Sequence, residues 1–221
     1  MTFADRGWHV IAADLTTVVK PDATIDDYAG DIIDLLDGLH VEDAVIGGLS
    51  MGGYVTFGIV RHAPRYIRGL ILADTRSQAD TPEGVEGRRK MLKLLHDQGP
   101  AAIADQMLPR LIGETTKATK PDVAEQLKAI ILSNSTETIG AAINALMTRP
   151  DATPLLASVH VPTLIVAGEE DLLTPPALSE EMHRGIAGSQ LAIIPKAGHM
   201  ANLEQTQAFN EVVGAFLDKR I

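Results

Sequence analysis

Gly48-Leu49-Ser50-Met51-Gly52 sets a serine between two glycines, directly after an apolar run and before a stretch of helical periodicity. A strand that turns straight into a helix strains its backbone at the serine and lifts Oγ above the sheet edge; small residues on both sides let the two backbones pass closely. The helix that follows aims its first N–H groups at that point, where negative charge would develop during attack on a carbonyl. The Met51 N–H is the natural first oxyanion donor. A serine hydroxyl is a weak nucleophile and needs an adjacent base. Of the seven histidines, His40 and His62 close helices, His96 and His183 sit among charged helical neighbours as solvated residues, His9 falls in a strand and His160 in a linker. His199 differs, because it follows an apolar run on the loop Pro195-Lys196-Ala197-Gly198-His199, just before the last helical stretch. An acid is needed to hold the imidazole tautomer. Gly168-Glu169-Glu170-Asp171 offers three carboxylates after another apolar run. Asp171 is the choice, with Thr174-Pro175 shaping the turn after it and Glu169 and Glu170 solvated or structural. Asp74, which also ends an apolar run, is the rival acid. The candidate catalytic set is therefore Ser50, Asp171 and His199.

The elements that must position these residues read as strands over 8–13, 43–47, 69–73, 162–167 and 190–194. They are apolar without strict alternation, as strands are when both faces of a parallel sheet are covered. Helical patterns intervene over 24–39, 51–62, 175–185 and 202–217, with Thr24 placed to cap the first. This alternation implies an α/β fold with a mostly parallel sheet flanked by helices. A parallel sheet gathers its ligand loops at the carboxyl ends of its strands, and Ser50, Asp171 and His199 all occupy such ends. Residues 76–158 break the rhythm with helical patterns only, over 84–98, 101–111, 122–133 and 136–147. They read as an insertion into a core made of 1–75 and 159–221. Met91, Leu95, Met107, Leu108 and Met147 in that insertion either line a pocket or form ordinary core.

Composition narrows the function classes. A net charge of −10 over 221 residues argues against a nucleic-acid footprint, which needs clustered Lys and Arg. Arg88-Arg89-Lys90 reads as a solvated helix face. With 4% aromatics against 45% hydrophobic residues, the core must be aliphatic. There is no cysteine, so disulfides, thiolate nucleophiles and Cys-ligated metals are excluded. No apolar run reaches the ~18–20 residues that span a bilayer, and the amino terminus lacks the long apolar stretch of a secretory signal. A cytoplasmic protein without membrane or nucleic-acid partners is expected.

Three segments together resemble the α/β-hydrolase superfamily: Gly47-Gly48-Leu49-Ser50-Met51-Gly52-Gly53, Ala167-Gly168-Glu169-Glu170-Asp171-Leu172-Leu173-Thr174-Pro175, and Ala197-Gly198-His199-Met200-Ala201-Asn202-Leu203-Glu204. The chain order Ser, Asp, His is that of this fold. Within the superfamily the sequence is most similar to esterases and to the enol-lactonases of aromatic catabolism, and cofactor-free haloperoxidase-like members share the same triad. The resemblance implies a small ester or lactone substrate, an acyl-enzyme on Ser50, no metal or organic cofactor, and a helical cap over residues 76–158. Fold resemblance does not choose among substrates.

The sequence departs from the family at its front. Family members carry three more strands before the one that residues 8–13 resemble, with a His-Gly loop after the third that supplies the second oxyanion N–H; nothing here matches them. Three arrangements would accommodate this: a shortened chain, a rearranged sheet in which 8–13 pairs directly with 43–47, or a homodimer in which two chains complete each other's edges. Two functional readings stay open, a working esterase or perhydrolase-like enzyme and a hydrolase-like protein that binds a small molecule or partner without turnover.

Overall fold

The computed structural model describes residues 3–221 apart from the Arg220 side chain; Met1 and Thr2, part of the reading of the amino terminus, lie outside the described residues. Four strands, β1 (Ala44–Leu49), β2 (Ile67–Ala73), β3 (Thr163–Gly168) and β4 (Gln190–Ile194), form one sheet in the order β1-β2-β3-β4. All three pairings are parallel, with Leu49 opposite Ala73, Ala73 opposite Val166 and Gly168 opposite Ile194 at the carboxyl ends. The strands thus finish almost level, and the loops that leave them share one edge of the sheet.

Both faces of the sheet are covered, which explains why the strands show no polar alternation. Successive residues of β2 and β3 divide between two cores. Leu70, Leu72 and Ile165 pack with Tyr28 of α1 (Ile25–Gly38), Phe57 and Ile59 of α2 (Met51–His62) and Met182 of α7 (Pro176–Gly185). Ala73, Leu164 and Val166 pack instead with Val213, Phe216 and Leu217 of the last helix, α9 (Thr206–Arg220). Helix α1 begins where the sequence placed it: Thr24 Oγ1 accepts from the Asp27 N–H at 3.2 Å and Asp27 accepts from the Thr24 N–H at 2.8 Å, a reciprocal cap.

Between β2 and β3 the chain is helical: α3 (Pro82–Leu111), α4 (Glu114–Thr119), α5 (Pro121–Leu132) and α6 (Thr136–Thr148). Helix α3 is two helices joined at Gly99, whose φ of 76° only glycine adopts freely. Leu95 and Ile103 of α3 and Ile143 of α6 are buried together, with Met91 and Met107 packed against them. Leu108 joins a second cluster of Ile112, Val123 and Leu127, which reaches Met200 and Leu203. Four of the five residues left open between pocket and core are therefore part of apolar clusters; Met147 is half-buried.

The expected first strand is corrected. Residues 8–14 form no regular element and enter no ladder, and 9–14 are exposed, with Val10 54% accessible. The direct pairing of 8–13 with β1 is therefore not the arrangement. A cavity of about 590 Å³ lies between this segment and β1, lined also by Val55 of α2 and Leu217 of α9. A strand is defined by its neighbour's hydrogen bonds, and this segment has none beside it.

Candidate active site

Strand β1 ends at Leu49 and α2 starts at Met51, so Ser50 alone makes the turn. Its φ of 52° and ψ of −112° lie outside the ordinary regions for an L-residue. Backbone strain of this kind needs support from its surroundings, and the support is specific. The Ser50 N–H donates to the Ala73 carbonyl at 2.9 Å, and Thr75 Oγ1 donates to the Ser50 carbonyl at 2.8 Å. A Cβ on Gly48 would lie 2.1 Å from the Gly52 backbone, and one on Gly53 would lie 2.4 Å from Thr75 Oγ1. Close approach requires Gly48, as the motif implied, but not the motif's second glycine, Gly52, where a Cβ would meet nothing within 4 Å; the constraint after the serine falls on Gly53 instead.

Ser50 Oγ lies 2.7 Å from His199 Nε2, and His199 Nδ1 lies 2.8 Å from Asp171 Oδ2. Asp171 accepts at Nδ1, so the proton of a neutral ring sits there and Nε2 faces Ser50 with its lone pair. Ser50 is half-buried, while His199 and Asp171 are each 2% accessible. Asp171 is the best-satisfied carboxylate of the site. Its Oδ1 accepts from the Leu173 and Thr174 N–H groups at 2.7 and 3.0 Å, and Thr174 Oγ1 donates to Oδ2 at 2.6 Å. Burial pushes its pKa up, but the His199 ring and the Thr174 hydroxyl outweigh burial and hold it below the ordinary carboxylate value.

The rival acid, Asp74, has another place. It ends β2 at φ 44°, is fully buried, and accepts the Gly168 N–H at 2.7 Å on Oδ1, while its Oδ2 has no hydrogen-bond partner. Burial drives its pKa well above the usual range; the Gly168 N–H opposes this, and the charges of Asp171 and Glu204 add to the rise. Asp74 ties the end of β2 to the turn that carries Asp171, and the acid within hydrogen-bond reach of His199 is Asp171. Of the other histidines, His96 is exposed as expected, whereas His183 is half-buried and hydrogen-bonded to Ser189 at 2.8 Å, a correction to its solvated reading. Two contributors were not read from sequence as partners of the site, the Thr174 hydroxyl on Asp171 and the Thr75 hydroxyl under Ser50. A threonine three residues after an aspartate, at a turn, is the signal that pointed to the first.

Met51 is the first residue of α2, where backbone N–H groups have no partner within the helix. The arrangement thus sets a serine hydroxyl against a ring lone pair, a buried carboxylate behind the ring, and a helix N-terminus beside the serine. Groups of His, Asp and Glu spaced to hold a metal ion are absent among the described residues. No helix among them is long and apolar enough to cross a membrane.

A parallel sheet that presents Ser, Asp and His from three strand ends in this chain order defines the α/β-hydrolase class of fold. The chain belongs to the alpha/beta hydrolase family, whose pattern it matches over residues 2–212. It is 29% identical over 195 residues to 3-oxoadipate enol-lactonase 2 of Acinetobacter baylyi, which covers 88% of this chain and 71% of that protein. The structure is similar to that of a thermophilic esterase from Thermogutta terrifontis, with a TM-score of 0.86, 39% identity, and coverage of 89% of this chain and 73% of the other. It is also similar to an enol-lactonase from Burkholderia xenovorans, with a TM-score of 0.83, 27% identity, and coverage of 92% and 76%. The family and these relatives support a hydrolase role in general.

Proposed function

We propose that this hydrolase cleaves small carboxylic esters or lactones through an acyl-enzyme on Ser50. The observation that carries the reading is the unbroken chain of contacts from Ser50 Oγ through His199 to Asp171, at 2.7 and 2.8 Å. The names of the similar proteins, esterases and enol-lactonases, support the substrate class. In the first step His199 Nε2 takes the Ser50 proton as Oγ attacks the carbonyl carbon. Asp171 keeps the ring oriented and stabilises the imidazolium without taking its proton. The Met51 N–H donates to the oxyanion at the positive end of α2. The tetrahedral intermediate collapses as His199 protonates the departing alkoxide, leaving the acyl group on Ser50. Water then attacks the acyl carbon, His199 accepts its proton and returns it to Ser50 Oγ, and the carboxylic acid leaves. The helices between β2 and β3, within residues 76–158, form the cap that bounds the acyl pocket in this reading; the apolar cluster that α3 shares with α6, and the contact of Leu108 and Ile112 with Met200 beside His199, support it.

The test is hydrolysis of p-nitrophenyl acetate, p-nitrophenyl butyrate and a five-membered lactone by the purified chain, with Ser50→Ala beside it. Loss of the nucleophile is expected to lower kcat by roughly 10⁴-fold or more without altering the far-ultraviolet spectrum. A fluorophosphonate should label the wild type at Ser50. Turnover that survives in Ser50→Ala would remove the assignment, and a folded protein that neither turns over esters nor reacts with the phosphonate would favour binding without catalysis.

A further inference from the structure

Asp171 and His199 sit on loops, not on regular elements. Loops that carry reacting groups depend on their surroundings for a fixed geometry, and both of these loops are held by the same short turn, Gly113–Thr115, at the junction of α3 and α4.

The contacts are made by two glutamates, each close in sequence to a reacting residue. Glu170 immediately precedes Asp171. Its Oε2 accepts the Thr115 N–H at 2.8 Å and its Oε1 accepts the Thr115 hydroxyl at 2.5 Å. Glu204 lies in α8 (Ala201–Glu204), five residues after His199, and is fully buried. Its Oε2 accepts the Gly113 N–H at 2.8 Å and its Oε1 accepts the Met200 N–H, next to His199, at 3.1 Å. Lys120 Nζ adds a donor to the Glu204 carbonyl at 2.5 Å. The backbones themselves are in contact. A Cβ on Gly113 would meet Glu170 Oε2 at 2.4 Å and the Gly198 N at 2.9 Å, and one on Gly198 would meet the Gly113 N at 2.3 Å. Ile112 is buried beside these bonds against Met200 and Leu203.

We propose that the Gly113–Thr115 turn is a clamp that sets the Asp171 and His199 loops relative to each other, with Glu170 and Glu204 as its positioning residues. The proposal rests on the reading of Ser50, His199 and Asp171 as the reacting groups. It makes the competence of the site depend on how the helices between β2 and β3 are seated. Lifting the turn away breaks the Gly113 and Thr115 bonds together and leaves the two loops joined only by their direct contacts, among them the Glu170 N–H on the Ala197 carbonyl at 2.7 Å and the Lys196 N–H on the Glu169 carboxylate at 3.1 Å. Each glutamate acts through the residue it holds, since its carboxylate oxygens are engaged by Gly113, Thr115 and Met200. A misplacement of reacting groups by about 1 Å can lower a rate by roughly 10²-fold, so the expected signature is a fall in kcat with KM nearly unchanged.

Four variants test this: Glu170→Met, Glu204→Gln, Thr115→Val and Thr115→Ser. Glu170→Met keeps the side-chain volume and removes both acceptors, Glu204→Gln sets an NH₂ against one of two backbone N–H donors, and Thr115→Val removes one hydroxyl at a half-buried site. Two readouts are taken. The first is kcat and KM on p-nitrophenyl butyrate. The second is the low-field proton NMR signal of the His199 Nδ1–H, assigned by its loss in Asp171→Ala, which reports the ring's bond to Asp171 whether or not the protein turns over. Glu170→Met, Glu204→Gln and Thr115→Val are expected to lose about tenfold or more in kcat with KM within about twofold, and to broaden or shift the low-field signal. Thr115→Ser, which restores the hydroxyl, should recover both. Folded variants with wild-type kcat and an unmoved signal would overturn the clamp. An inactive wild type that also fails to react with a fluorophosphonate would overturn the proposed function instead, and the NMR signal would still decide the clamp.

Discussion

Two aspartates follow neighbouring strands, Asp74 directly after β2 and Asp171 three residues after β3, and both are buried, yet their chemistry diverges because their partners differ. Asp171 faces the His199 ring, two backbone N–H groups and a hydroxyl, so its charged form is favoured. Asp74 has one close N–H, that of Gly168 on Oδ1, with the Ala201 N–H acting more weakly, and two carboxylates nearby, so burial favours its neutral form. The consequences for stability have opposite signs. A carboxyl whose folded pKa is lowered contributes stability that is present above its unfolded value of about 3.9 and is lost as pH falls through the folded value. That is Asp171. A carboxyl whose folded pKa is raised contributes stability that is complete below about 3.9 and is lost as pH climbs through the folded value. That is Asp74. Asp74→Asn keeps a carbonyl oxygen for the Gly168 N–H and cannot ionise. Urea unfolding at intervals from pH 5 to 9 should therefore show the variant gaining on the wild type as pH rises. A difference independent of pH would place an ordinary, ionised carboxylate at position 74. Both residues were visible in the sequence as acids at strand ends. Which of them meets the imidazole was not fully legible there, since it depends on where the loop before α8 sets His199, a matter of tertiary contact.

At the scale of the element, the parts of the fold that local chemistry dictates were legible, and those that a neighbour dictates were not. The Thr24 cap, the glycines around Ser50 and the Pro175-Pro176 helix start follow from what single residues can do. The four observed strands lie within a few residues of their expected limits because both-faces burial leaves a continuous apolar run. Residues 8–13 have the same composition and form no strand, because composition does not supply a hydrogen-bonding partner. In α3, Gly99-Pro100 was read as a break between two helices; the chain does turn at Gly99, but the two halves follow each other without a loop. The turn at Ser50, between β1 and α2, gives the sharpest test at this scale. Gly48→Ala would set a methyl group 2.1 Å from backbone atoms of Gly52, where nothing flexible can yield. The start of α2 must shift away from β1, carrying Ser50 and Met51 with it. The expected result is a loss of about 3 kcal/mol in urea unfolding together with a fall in kcat. Gly52→Ala is the control, since its Cβ would meet nothing within 4 Å. Equal behaviour of the two variants would show that the close approach at Gly48 is not what the motif requires.

Across the whole molecule, the two ends of the helical segment between β2 and β3 are joined to each other by a charged network that the sequence did not reveal, because Asp80 and Arg149 are far apart in the chain. Asp80, just before α3, accepts from Arg149, just after α6, at 2.8 Å, and also from Arg76 and Arg88 at 2.5 and 2.6 Å. The pair closes the two ends of the helical segment on each other. Arg88 was read as part of a solvated basic face; it is drawn inward by Asp80, and its side chain is only 22% accessible. The Arg149 side chain is 1% accessible, stacks over the Tyr54 ring of α2 at 4.3 Å, and spends its other donors on the Gln78 and Leu146 carbonyls. Burial works against the Asp80 charge, but Arg149 and Arg88 hold its pKa below the ordinary value. A buried pair of this kind contributes little relative to apolar residues of the same shape, whereas removing one partner leaves a buried charge unpaired, at about 3–5 kcal/mol. Asp80→Ala should therefore destabilise the protein by roughly that amount in urea unfolding, and Asp80→Ala combined with Arg149→Met should recover much of the loss. Strict additivity of the two substitutions would mean that the charges do not sense each other. A recovery in the double variant would locate the joint between the two ends of the helical segment at Asp80, on the loop that also carries Asp74 and Thr75, and Arg149, just after α6.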